Sequence, residues 1–140
     1  MLILNTDDYP HLCRHAENTY PQECCGVLLG HITREGKQVR EIRETPNDWQ
    51  PEAQRNQRFR ISPLLLLQLQ KEARDRHLEI IGIYHSHPDY SAVASETDRS
   101  LAWPQYSYFI LSVEKGQVKD CLSWQLDDSG QFQAETIVWR

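Results

Sequence analysis

The feature that most constrains the fold is a nearly continuous apolar run, LEIIGIY, that leads directly into the segment HSHP. Apolar runs of this length are typical of strands that are buried on both faces of a sheet. Residues 78–85 are therefore predicted to form a central strand, and Pro88 is predicted to end it. Two histidines, His85 and His87, lie where this strand runs out.

The rest of the chain mixes helical and strand-like patterns without strict alternation. Helices are predicted at 7–20 and, after a Ser62-Pro63 start, at 63–76. Strands are predicted at 27–33, 39–44, 58–61 and 106–114, with two more around the turn DDSG, while 45–57 is predicted to be a loop and 95–103 a short helix. We expect an α/β fold with one mixed β-sheet flanked by helices.

Composition and charge limit the classes of partner. The 140 residues can bury a core without disulfides, and we expect a single domain over 1–140. The net charge is −5 and no basic stripe is visible, so a nucleic-acid surface is not expected. The apolar stretches are too short for a membrane span, and the N-terminus lacks the features of a signal peptide. A cytoplasmic protein is expected.

The four cysteines, at 13, 24, 25 and 121, form no CxxC pair. In a cytosolic chain such cysteines are expected to be reduced thiols, and each is interpreted as a small buried hydrophobic residue.

The HxH pattern at the end of the central strand has the local geometry of a metal site. Residues two apart on a strand point to the same face, about 6.6 Å apart. Imidazoles that lean together from His85 and His87 can meet at one ion with Zn–N bonds of roughly 2.0–2.1 Å. Ser86 is predicted to face away. An isolated HxH is weak evidence, because many occur on surfaces by chance.

Asp98 strengthens the metal interpretation. In Ser95-Glu96-Thr97-Asp98, a serine is followed three residues later by an acid, which predicts a capping box at a helix start. Such a helix could present Asp98 as a third ligand. Two histidines and one carboxylate leave a tetrahedral position open for water, which is the arrangement of a catalytic zinc site.

A catalytic site of this kind needs a base beside the water. Asp89 and Glu96 are candidates because they are close in sequence. Glu23 is another, because it leads into a predicted strand through small residues that permit tight packing. Composition and spacing do not choose among the three.

The spacing of these residues resembles the JAMM signature of the MPN/JAB metallopeptidases. The matching positions are Glu23, then His85, Ser86 and His87 starting 62 residues later, then Ser95 and Asp98. The segments YPQECCGVLLG, IIGIYHSHP and SETDRSLAWPQYSYFILSV also resemble the bacterial single-domain members, so that the resemblance covers essentially the whole chain.

The resemblance implies roles for five of these six residues, all except Ser86. His85, His87 and Asp98 would bind one Zn²⁺, with water as the fourth ligand. Glu23 would be the general acid/base, and Ser95 would hydrogen-bond the developing oxyanion. The implied fold is an α/β sandwich resembling cytidine deaminase.

The resemblance also implies a substrate: a ubiquitin-like or sulfur-carrier protein cleaved at the peptide or isopeptide bond after its C-terminal Gly-Gly. Without a docking extension, the sulfur-carrier class is favoured over polyubiquitin. Ala94 stands where many relatives have proline, which leaves that loop less restricted. Trp49 and Tyr90, in the loops at 45–57 and 88–94, could contact substrate. A homodimer is an open alternative to a monomer.

The sequence argues against two other functional classes. A non-catalytic MPN scaffold that serves as an interaction module is the alternative, and retention of Glu23 argues against it. A zinc deaminase would need H-x-E together with P-C-x-x-C, and a zincin would need HExxH; the sequence contains neither P-C-x-x-C nor HExxH.

Overall fold

Eight strands form one mixed sheet in the computed structural model, which describes residues 1–140. The strands are β1 (Leu2–Leu4), β2 (Cys25–Ile32), β3 (Lys37–Thr45), β4 (Glu79–Pro88), β5 (Ser107–Glu114), β6 (Gln117–Leu126), β7 (Phe132–Glu135) and β8 (Ile137–Trp139). Their order across the sheet is β7-β6-β5-β4-β2-β3-β1-β8. The apolar strand β4 is central, antiparallel to β2 and parallel to β5.

Three α-helices accompany the sheet: α1 (Asp8–Thr19), α2 (Pro63–Asp75) and α3 (Glu96–Ser100). A 3₁₀ turn at Glu52–Gln54 lies in the loop before α2. The Ser62 hydroxyl caps α2 by accepting from the backbone N–H of Leu65 at 3.5 Å, with Pro63 in the first turn, as predicted. No helix is long and apolar enough to cross a membrane.

The two long helices cover opposite faces of the sheet. Leu12 and Ala16 of α1 belong to one buried cluster, which includes Tyr84 of β4. Leu69 and Ala73 of α2 belong to a second cluster, with different residues of β2, β4 and β5. Because both faces are covered, the central strands are apolar on both sides, which explains the continuous run at 78–85. The α/β prediction is confirmed.

The edges of the sheet are brought together by the chain itself. The edge strands β7 and β8 are separated in sequence by Thr136 alone. The sheet must therefore curve until its two ends approach each other. The backbone of Leu2 donates to the carbonyl of Thr136 at 2.8 Å at this junction.

Two details differ from the sequence prediction. Residues 58–61 are not a strand: the side chain of Asn47 donates to the carbonyl of Arg58 at 2.9 Å and accepts from the N–H of Arg60 at 3.3 Å. The backbone polar groups there are satisfied within a loop rather than in the sheet. The sequence prediction also omitted β1, and it treated as one strand-like run after DDSG the residues that form both β7 and β8.

Candidate metal centre

His85 and His87 are the start of the site, and both are completely buried on β4. The strand continues through Pro88, so both histidines are held by ladder pairing with β5. Their Nε2 atoms approach to 3.2 Å. The convergence predicted for an HxH at this position is present.

Asp98 reaches the same point from α3. Its Oδ1 lies 3.1 Å from Nε2 of His85, and its Oδ2 lies 3.2 Å from Nε2 of His87. The predicted capping box holds it there: the N–H of Ser95 donates to Oδ2 at 2.8 Å, and the Ser95 hydroxyl accepts from the N–H of Asp98 at 3.0 Å. The cap of a five-residue helix therefore also orients the carboxylate.

The three side chains fit a tetrahedral metal ion. Zn–N bonds of about 2.0–2.1 Å place neighbouring tetrahedral donors about 3.3–3.4 Å apart. The observed separations among His85, His87 and Asp98 are 3.1–3.2 Å. These are the three residues of the chain whose donor atoms converge in this way. Two neutral imidazoles and one carboxylate form a donor set suited to zinc.

Both histidine rings also make contacts away from the Nε2 atoms that converge with Asp98. Nδ1 of His87 lies 2.6 Å from the carbonyl oxygen of Ser91, so that Nδ1 carries the proton and Nε2 is free to accept. Tyr90 stacks on His87 with ring centroids 4.0 Å apart, and Phe59 stacks on His85 at 4.4 Å. Nδ1 of His85 is buried without a hydrogen-bond partner.

The charges of this cluster depend on one another. Burial works against an ionised Asp98, but the adjacent His85 and His87 hold the pKa of this carboxyl well below its usual range. Burial likewise works against a charged His85, yet Asp98 raises the pKa of this imidazole overall. The site therefore favours a carboxylate next to positive charge, the balance that a bound cation would satisfy.

Glu23 is the carboxylate that the fold brings to this centre. It immediately precedes the segment in which Cys25 pairs with His85 across β2 and β4. Its N–H donates to the carbonyl of Arg55 at 2.7 Å, and its carbonyl accepts from Asn47 at 3.0 Å. Only 2% of Glu23 is exposed, and burial raises the pKa of its carboxyl although His85 opposes this shift.

The other two candidate bases point elsewhere. Asp89 accepts from the Tyr20 hydroxyl at 2.6 Å and from the N–H of Lys115 at 2.8 Å. Glu96 is exposed and pairs with Arg99. Among the three, Glu23 is the one that lines the same cavity as His85 and Asp98.

Ser95 lies at the start of α3, beside Asp98. Its hydroxyl oxygen accepts from the N–H of Asp98, while its own proton has no acceptor in the protein. The hydroxyl is thus able to donate to another group, although its capping role accounts for every contact it makes here.

A cavity of about 500 Å³ opens beside the centre. The buried Glu23 and His85 and the partly buried Asp98 line it, and so do the largely exposed Leu101 and Trp103. The wall also contains Trp49, Arg58 and Thr97, and the Arg58 guanidinium donates to the Thr97 hydroxyl at 3.0 Å. Sequence reasoning missed Arg58 and Thr97, since neither belongs to a recognisable spacing pattern.

Residues 7–127 match the family described as prokaryotic homologs of the JAB domain. The chain belongs to this family. The match includes all six positions of the signature, from Glu23 to Asp98. The resemblance noted from the sequence is therefore confirmed at the level of the family.

Relatives of this JAB domain include two proteins named desampylases. The one from Haloferax volcanii is 30% identical over 103 residues, which cover 73% of this chain and 70% of that protein. The one from Pyrococcus furiosus is 30% identical over 118 residues, which cover 83% of this chain and 75% of that protein.

Solved structures share the fold of this JAB domain. A protein of Desulfitobacterium hafniense, known from a solution structure, matches with a TM-score of 0.85 and 27% identity over 100% of this chain and 93% of its own. A protein of Salinibacter ruber matches with a TM-score of 0.74 and 28% identity, over 98% and 90% of the two chains.

Proposed function

We propose that this JAB domain is a zinc-dependent peptidase of the JAMM type. The observation that carries the proposal is the convergence of His85, His87 and Asp98 at 3.1–3.2 Å, with Glu23 buried in the same cavity. The two desampylase relatives support a hydrolase that acts on ubiquitin-like modifiers. We propose that residues 1–140 act as one domain.

In this proposal His85, His87 and Asp98 hold the ion and Glu23 handles the proton. Bound zinc supplies a Lewis acid that lowers the pKa of water and polarises a carbonyl. Glu23 accepts the proton of the attacking water and transfers it to the nitrogen of the leaving amine. Burial supports this role, because it raises the pKa of Glu23 and so makes its carboxylate a stronger proton acceptor.

Ser95 is proposed to stabilise the oxyanion. Its hydroxyl proton has no acceptor in the protein, so it is free to donate when negative charge develops on the carbonyl oxygen. The capping box fixes this hydroxyl beside Asp98, which limits the reorganisation that such a bond requires.

The substrate proposed is a ubiquitin-like or sulfur-carrier protein, cleaved after a C-terminal Gly-Gly. The cavity supports a peptide tail: apolar walls at Leu101 and Trp103 lie beside the polar centre, the mixture expected of a ligand site.

The test is hydrolysis of a carrier protein that bears an amino acid or a lysine-linked peptide on its terminal glycine. We expect mass spectrometry to show release of the group by the zinc-loaded protein, with loss of activity after chelation and recovery on zinc addition. The Glu23→Gln variant is the matched control. Bound zinc without hydrolysis of any such substrate would contradict the proposed activity and favour a non-catalytic scaffold.

A further inference from the structure

The carboxylate of Glu23 has a single hydrogen-bond partner in the protein. The hydroxyl of Tyr90 donates to its Oε2 at 2.7 Å, and no other side chain or backbone group binds either oxygen. The hydroxyl is the donor in this bond, because a carboxylate oxygen can only accept. This bond occupies one carboxylate oxygen and leaves Oε1 available to water.

The ring of Tyr90 is fixed by the centre itself. It lies over the imidazole of His87 with the two planes within 16° and the centroids 4.0 Å apart. The same side chain therefore contacts a proposed metal ligand through its face and the proposed base through its hydroxyl.

The backbone around Tyr90 is also held. Its carbonyl accepts from the Ser112 hydroxyl at 2.7 Å, and the next carbonyl, of Ser91, contacts Nδ1 of His87 at 2.6 Å. Asp89, just before it, adopts a φ of 61° and is secured by Tyr20 and by the N–H of Lys115. The left-handed conformation at Asp89 turns the chain so that Tyr90 faces the site.

We propose that Tyr90 is a positioning residue for the reaction, which holds the Glu23 carboxylate in the one orientation that presents Oε1 to the water beside the metal centre. This inference rests on the proposed function. It adds to the reaction a residue outside the JAMM signature, and one that acts through Glu23 rather than on the substrate.

Tyr90→Phe is the decisive variant, because it keeps the ring on His87 and removes only the hydroxyl. We expect kcat to fall about 10- to 100-fold, as for a misplaced catalytic group, with KM and zinc affinity unchanged. Tyr106→Phe is the matched control: its hydroxyl contacts only Gln70, at 3.4 Å, and its kcat should remain that of the wild type.

A double-mutant cycle separates positioning from a structural effect. In the Glu23→Gln background, Tyr90→Phe should cause little further loss, since the group that it orients is already inactive. An unchanged kcat in the single variant, an equal loss in both backgrounds, or a loss of zinc would each overturn the proposal.

Crystal structures of the zinc-loaded wild type and Tyr90→Phe variant provide a second readout that needs no turnover. We expect Glu23 in one rotamer in the wild type and turned away or in several orientations in the variant. An identical Glu23 rotamer in both would overturn the proposal. The expected rotamer difference between the two structures, with no substrate hydrolysed by the wild type, would instead overturn the proposed function alone.

Discussion

The backbone N–H of Cys24 donates to the hydroxyl of Ser86 at 2.8 Å, and the N–H of Ser86 donates to the carbonyl of Cys24 at 3.2 Å. This pair extends the β2–β4 ladder by one step past Cys25 and His85. Because Glu23 directly precedes Cys24 in the chain, the pair holds Glu23 near the two histidines. Ser86 lies between His85 and His87, is completely buried, and supports the site through its bonds to the backbone of Cys24.

Replacing Ser86 by alanine should destabilise the fold. The buried N–H of Cys24 would lose its acceptor, which costs about 1–3 kcal/mol. Urea denaturation would show a lower midpoint with an unchanged slope. Ser129→Ala is the matched control, because the Ser129 hydroxyl bonds Asp127 on the surface and its loss should change stability by less than about 0.5 kcal/mol. Equal stability of the Ser86 variant and the wild type would show that the bond is unimportant.

Glu23→Gln should retain the metal and lose most turnover. The amide keeps the size of the side chain but cannot carry a proton, and general acid–base catalysis contributes about 10²- to 10⁴-fold. Steady-state kinetics and elemental analysis of the same sample would check both halves of this prediction. Near-normal turnover with bound zinc would assign the proton transfer to another group.

Asp98→Asn should weaken zinc binding at least about 10- to 100-fold, the range seen even when groups behind the metal ligands are altered. The neutral amide is a poorer ligand beside His85 and His87, and it also alters the capping box at Ser95. Competition with a chromogenic chelator would give the affinity. Asp75→Asn, at an exposed position at the end of α2, should bind zinc like the wild type. Equal affinities of the two variants would remove Asp98 from the ligand set.

Cys24 and Cys25 should resist alkylation in the folded protein. Burial raises the pKa of each thiol to about 12, so that at pH 8 only about one molecule in ten thousand carries a given thiolate. As pH rises toward 12 the thiolate fraction grows, but reaction still requires access. Iodoacetamide labelling followed by peptide mass spectrometry should modify Cys24 and Cys25 only after denaturation. Rapid labelling at pH 8 without denaturant would contradict the buried placement.

Much of the fold follows from local sequence patterns. The apolar run before His85 predicted the central strand, and Ser62-Pro63 predicted the start of α2, because burial on two faces and helix capping each depend on neighbouring residues. The predictions failed where structure depends on distant partners. Strand β1 is too short for any periodicity, and it is defined by pairing with β3 and with β8 at the far end of the chain.

The candidate site likewise combines residues set by local patterns with residues placed by distant partners. His85, His87 and the capping box around Asp98 are local patterns, and their convergence is present in the structure. Spacing alone did not separate Glu23 from Asp89 and Glu96, because the choice depends on antiparallel pairing between residues 62 positions apart. The contact of Tyr90 with Glu23 spans 67 positions and has no signature in the sequence.

The central claim is that His85, His87 and Asp98 form a zinc site, and the most direct test is the metal content of the purified, tag-free protein. Elemental analysis should find about one zinc ion per chain, reduced in Asp98→Asn and retained in Glu23→Gln. Protein that contains no zinc and takes up none when zinc is added would contradict the account, because the three donors would then not act together on one ion.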